Sequence, residues 1–154
     1  MGLYVLRPQS RGYITLKSKD PEDSPLIFPN YFSDEQDLID TRNGLRVAHK
    51  IFMQEAFDKY RGVRIRPKEN IDITHDNSLD EYIRNTAETL YHPVGTCKMG
   101  TDVMSVTNEH GQVRKVHGLR VVDASLMPTL IGGNTDAPTM MMAEKISNHI
   151  NRIN

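Results

Sequence analysis

Hydrophobic and polar positions alternate near the amino end of the chain. Residues 3–6 are an apolar run closed by Pro8. Over residues 12–17, Tyr13, Thr15 and Lys17 fall on one face and Ile14 and Leu16 on the other. A period of two predicts strands, with a pairing expected around Gln9-Ser10-Arg11. Residues 19–29 carry Pro21, Pro25 and Pro29 and read as an ordered loop or an edge. The period then lengthens. Leu38, Leu45, Ala48, Phe52 and Ala56 share one helical face, so a helix is expected over 33–60, with Gly62 as its stop. Residues 61–75 are polar and irregular. Ser78 and Glu81 have the spacing of a capping box, ahead of a second apolar face of Leu79, Tyr82, Ile83, Thr86 and Leu90. Pro93 keeps His92 extended, and 92–99 is read as extended throughout. Strands are expected over 113–116 and 119–123, around His117-Gly118. A glycine-bearing loop follows at 131–134. A last helix is expected from near Pro138, a favoured first-turn position, to about Arg152. Met140, Met141 and Met142 read as core filling.

Composition narrows the partners. The 154 residues suffice for about one domain. Nineteen basic residues against twenty acidic ones remove the electrostatic case for nucleic acid or an anionic membrane surface. No apolar run is long enough to span a bilayer, and residues 1–8 lack a signal-peptide layout. Cys97 is the single cysteine and allows no internal disulfide. The six histidines have no HExxH or paired-cysteine spacing, so no metal site is expected. Gly95 and Gly100 have phosphate-loop spacing, but Thr101-Asp102 stands where Lys-Ser/Thr is required. There is no GxGxxG, so the Rossmann grip on a dinucleotide is absent from these residues.

Three segments carry unusual chemistry. His92 opens Tyr91-His92-Pro93-Val94-Gly95-Thr96-Cys97, and a neutral imidazole held by a following proline can accept a proton. Taken alone, it reads more simply as a hydrogen-bonded strand histidine. The run Leu119-Arg120-Val121-Val122-Asp123-Ala124-Ser125 could deliver a carboxylate to a ribose or ribityl hydroxyl, though acids end many strands. Gly132-Gly133-Asn134-Thr135-Asp136-Ala137-Pro138 allows close backbone approach to a ligand, ahead of a helix amino end suited to negative charge. It also reads as an ordinary loop and cap.

In their order and spacing, residues 92–100, 119–129 and 133–145, with Arg7 to Gly12 upstream, closely resemble the carboxy-terminal region of the glucose-methanol-choline (GMC) oxidoreductases. Within the family the wording is most similar to animal FAD-dependent glucose dehydrogenases. The resemblance implies an α+β fold. Residues 1–117 would be the substrate-binding portion, with an antiparallel sheet and helices. Residues 118–154 would return a strand and a helix to an FAD domain whose amino-terminal Rossmann unit is absent here, so the chain is expected to be part of a longer protein.

The resemblance also implies a reaction: FAD as cofactor, a small alcohol or sugar as substrate, and a quinone or oxygen as electron acceptor. His92 matches the histidine that takes the hydroxyl proton while hydride passes to flavin N5. Asn134 matches the second catalytic position and would hold the substrate oxygen. Asp123 and Ala124 would lie near the ribityl-phosphate portion, and the backbone of Thr135 and Asp136 beside the flavin pyrimidine ring. Asp136 stands where a neutral residue is usual, so its carboxylate is expected to point away or cap the helix. Secretion is expected of full-length relatives. By itself the chain is expected to hold FAD weakly or not at all. The alternative is a truncated, non-catalytic paralogue acting as a binding module.

Overall fold

Asp37 organises the start of the chain. The residue is buried, and its two carboxylate oxygens accept the backbone N–H groups of Gln9 at 2.7 Å and Ser10 at 2.8 Å. With those donors committed to a helix, residues 3–6 form no strand and no hairpin closes around Gln9-Ser10-Arg11. The alternating segment does become a strand, β1 (Tyr13–Thr15). Its partner is β2 (Leu26–Phe28), inside the stretch expected as a loop or an edge. The two form a two-stranded antiparallel sheet whose residues are all exposed. Gly12 permits the entry to β1, because a Cβ there would sit 2.2 Å from the Phe28 carbonyl oxygen.

This computed structural model describes residues 2–153. The chain is a small α+β structure that divides into two compact units. One comprises the residues up to Gly12 with Phe28–Thr89; the other comprises Tyr13–Ile27 with the residues from Leu90 onward.

In the first unit α1 (Glu35–Phe52) opens on Asp34, whose side chain accepts from the Gln36 N–H. It ends eight residues short of the sequence expectation. Gln54 is extended and turns its amide back to the Lys50 carbonyl at 2.9 Å. That satisfies one end carbonyl, and a 3₁₀ turn at Glu55–Phe57 follows. Of the expected apolar face only Leu38 is buried, while Phe52 is exposed. The second helix, α2 (Asp76–Thr86), starts two residues before Ser78, so the capping box is not its boundary. Asp76 takes the first-turn position instead. Its carboxylate accepts from Arg46 at 2.6 Å, which places a negative charge at the positive end of the helix dipole. Leu79 and Ile83 are buried as expected, against Leu38, with Phe32, Leu45, Ile71, Ile73 and Tyr82 around them. Leu90 lies beyond the helix end and is exposed. The fully buried Leu79 contributes about 1.5–3 kcal/mol by burial. Arg42 ties the two helices by donating from Nη1 to both Asp80 oxygens, at 3.0 and 2.8 Å.

The second unit is built on α3 (Asp136–Ile153), which starts two residues before Pro138. Met142 and Ile146 pack with Leu126 and Met127, and Val94, Met99, Val122, Ala124, Ile131 and Ile150 surround them. Met140 and Met141, expected in the core, are exposed, because adjacent helical residues cannot all face one side. The expected strands at 113–116 and 119–123 appear only as single-residue bridges, such as Gln112 with Arg120. Local bonding interrupts them: Lys115 and Gly118 adopt positive φ, and Asp123 turns its side chain to the Ser125 N–H. No helix among the described residues is long and apolar enough to cross a membrane.

Candidate functional site

Backbone hydrogen bonds stitch two of the three unusual segments together. Cys97 N–H donates to the Ser125 carbonyl at 3.1 Å, and Met99 N–H donates to the Leu126 carbonyl at 2.9 Å. The apolar side chains beneath them, Val94, Met99, Ala124 and Leu126, pack with Met142 and Ile146 of α3. One core therefore carries the His92 segment, the Asp123 segment and the helix that follows Asn134.

His92 is half-buried. Pro93 follows it, and Tyr91 before it adopts φ 62°, an uncommon conformation for a non-glycine residue. Both neighbours restrict the backbone that presents the imidazole. Its Nδ1 lies 3.2 Å from the Thr135 hydroxyl oxygen. Thr135 is buried, 8% exposed, and immediately precedes α3. Its carbonyl is held from inside the helix by the Thr139 N–H at 3.0 Å and the Thr139 hydroxyl at 2.7 Å. The chain thus brings His92 to the amino end of a helix.

The other predicted residues fall around this contact in sequence with different exposures. Asn134 is exposed beside Thr135. Asp136 is exposed and is the first residue of α3, so it opens the helix and does not cap it. Asp123 is exposed, and one of its oxygens accepts from the Ser125 N–H at 2.7 Å, which starts the 3₁₀ turn Ala124–Leu126. Ala124 is half-buried against the core. The sequence reading missed the Thr135 side chain. A threonine just before a helix signals a cap, and nothing local to it points to a histidine 43 positions upstream.

The far end of the His92 segment is held electrostatically. The Ser105 hydroxyl and the Lys98 ammonium, with the Met104 N–H, hold the Asp102 carboxyl down to about 2, against the opposing effect of desolvation. Gly111 closes the same unit: with φ 70°, a Cβ there would meet the Val121 carbonyl oxygen at 2.6 Å. Among the described residues no three histidine, cysteine or acidic side chains gather as a metal site.

Known proteins match the chain over nearly its whole length. The family model for GMC oxidoreductase matches residues 8–143. An oxygen-dependent choline dehydrogenase of Cronobacter sakazakii is 50% identical over 94% of this chain and 26% of its own length. The protein of the same name from Escherichia coli is 48% identical over the same shares. The chain spans about a quarter of the length of these curated relatives. Among solved structures, formate oxidase of Aspergillus oryzae RIB40, described with its FAD, superposes with a TM-score of 0.89. It is 27% identical, with 96% of this chain and 26% of that one covered. Pyridoxine 4-oxidase from Mesorbium loti superposes with a TM-score of 0.85 at 26% identity, over 96% and 28% of the two chains.

Proposed function

The chain belongs to the GMC oxidoreductase family, and on that premise we propose that it supplies the catalytic groups of an FAD-dependent enzyme oxidising the CH–OH group of a small, choline-like alcohol. The division into a substrate-binding portion, 1–117, and a portion completing an FAD domain, 118–154, belongs to this proposal. The choline dehydrogenase names of relatives at 48–50% identity favour an amino alcohol over a sugar. The nearer likeness to animal glucose dehydrogenases gains no support from them. The same names favour oxygen over a quinone as electron acceptor.

The residues present suit FAD. The first turn of α3 offers the N–H groups of Asp136 and Ala137 and the positive end of the helix dipole to an electron-rich ring, and Pro138 has no N–H to leave unpaired. The exposed Asp123 keeps an acceptor oxygen for a ribityl hydroxyl. When bound, FAD supplies the hydride acceptor at its N5. This chain's part is the proton. His92 takes the hydroxyl proton of the alcohol, and the Asn134 amide donates to the substrate oxygen and holds it in line. The backbone of Thr135 and Asp136 would hold the flavin pyrimidine ring, and Ala124 would hold the ribityl-phosphate portion.

The observation that carries this reading is the convergence of the His92, Asp123 and Asn134–Thr135 segments on one core, with His92 against the residue that immediately precedes α3. The test is choline oxidation by the flavin-loaded protein that contains this chain. Asn134→Ala is expected to lower kcat/KM severalfold or more through loss of substrate alignment. An unchanged kcat/KM removes Asn134 from the mechanism.

A further inference from the structure

We infer that the Thr135 hydroxyl is a positioning group that selects the tautomer of His92, accepting a hydrogen bond from Nδ1–H and so leaving the lone pair on Nε2. The inference deepens the proposed function and rests on His92 being the proton acceptor.

A neutral imidazole carries one proton on two nitrogens, and the partner of one nitrogen decides the chemistry of the other. Nδ1 of His92 is 3.2 Å from Thr135 Oγ1. If the hydroxyl donated to Nδ1, the Nδ1 lone pair would be used and Nε2 would carry the proton. The ring would then have no free base. If the hydroxyl accepts from Nδ1–H, Nε2 is free to take a proton. After proton uptake the imidazolium still donates from Nδ1 to the same oxygen. The acceptor therefore serves both states with no reorganisation, the arrangement that electrostatic preorganisation requires.

Thr135 is built for a fixed acceptor. Its β-branched side chain has restricted χ1 freedom. It is 8% exposed, which limits competition from water. Two bonds from Thr139 to its carbonyl anchor it to α3 without using its hydroxyl. On the other side, Tyr91 at φ 62° and Pro93 constrain the backbone of His92. Both act on the backbone; the Thr135 hydroxyl touches a ring nitrogen.

The test reads the tautomer directly, by two-bond ¹⁵N–¹H correlation of the histidine rings in the 154-residue chain at a pH where His92 is neutral. Thr135→Val, Thr135→Ala and Thr135→Ser are compared, each checked for an intact α3 by its amide spectrum. The expected result is a protonated Nδ1 and a bare Nε2 for His92 in the wild type and in Thr135→Ser. In Thr135→Val and Thr135→Ala the proton shifts to Nε2. A wild-type ring protonated at Nε2 overturns the inference, and so does an Nδ1–H ring that survives both Thr135→Val and Thr135→Ala. In the flavin-loaded protein, Thr135→Val is expected to lower kcat with little change in KM, by less than the ~10²–10⁴-fold of losing a general base, with Thr135→Ser restoring it. The two failures are separable. A fully active His92→Ala protein overturns the role of His92 as base, whereas the ring spectrum alone decides what Thr135 does to the imidazole.

Discussion

At the scale of single residues, the fold depends on polar side chains that bind backbone. Burial pushes the Asp37 carboxyl up, but the Ser10 hydroxyl, the Gln9 and Ser10 N–H groups and the Arg11 charge together outweigh it and hold the group below the usual value of 3.8. A carboxyl depressed in the folded state stabilises the fold above the unfolded value, and the stabilisation is lost as pH falls through the folded one. Asp37→Asn is therefore expected to cost about 1–3 kcal/mol near neutrality and to flatten the acid limb of stability below about pH 4. Urea titrations of both proteins at pH 7 and pH 3 check it. Equal acid sensitivity in the two would remove Asp37 from the account. None of this was legible in the sequence. Asp37 lies outside the apolar face expected for its helix, and its partners lie 27 and 28 positions away. His92 and Asn134 could be proposed from the sequence because each lies in a short unusual string. The Thr135 hydroxyl was not, because its meaning depends on a neighbour that only the fold supplies.

At the scale of elements, side-chain periodicity located all three helices but misjudged both ends of α1 and α2 and the start of α3. A polar group stands at three of these boundaries: Gln54 folding back on α1, Asp76 opening α2, Asp136 opening α3. The β reading fared worse for a related reason. Strands need partners, and the partner of β1 was hidden in a proline-rich stretch, while residues 113–123 spend donors on local turns. Helix α3 also carries a pH-sensitive contact. His149 stacks on His110, with ring centroids 3.7 Å apart and an angle of 7°. Burial lowers the His149 pKa below 6.5, with the charges of His110, Arg120 and Arg152 adding to it and Glu109 opposing. Lowering favours the neutral ring in the fold, so acidification below about pH 6.5 draws protons to the unfolded chain and costs stability. His149→Phe keeps a stacked ring without the charge. Its Tm is expected to fall less than the wild-type Tm between pH 7.5 and pH 5.5, and an identical fall in both would exclude His149 as a source.

At the scale of the whole molecule, the chain belongs to the GMC oxidoreductases and spans about a quarter of the length of its curated relatives. It contains the segments that gather around His92 but no GxGxxG to grip a dinucleotide. Many apolar side chains are exposed, among them Leu16 at 80%, Val63 at 80% and Ile65 at 76%. By itself the 154-residue chain is expected to retain no stoichiometric flavin through dialysis, as absorbance at the flavin band would show. A retained equivalent of FAD would mean that these residues hold the cofactor without a Rossmann unit. The alternative of a non-catalytic binding module is decided by chemistry. The most direct measurement is kcat/KM for choline in the flavin-loaded protein containing this chain, wild type against His92→Ala, at equal flavin content. A fall of about 10²–10⁴-fold is expected from loss of the proton acceptor; turnover near wild type would contradict it.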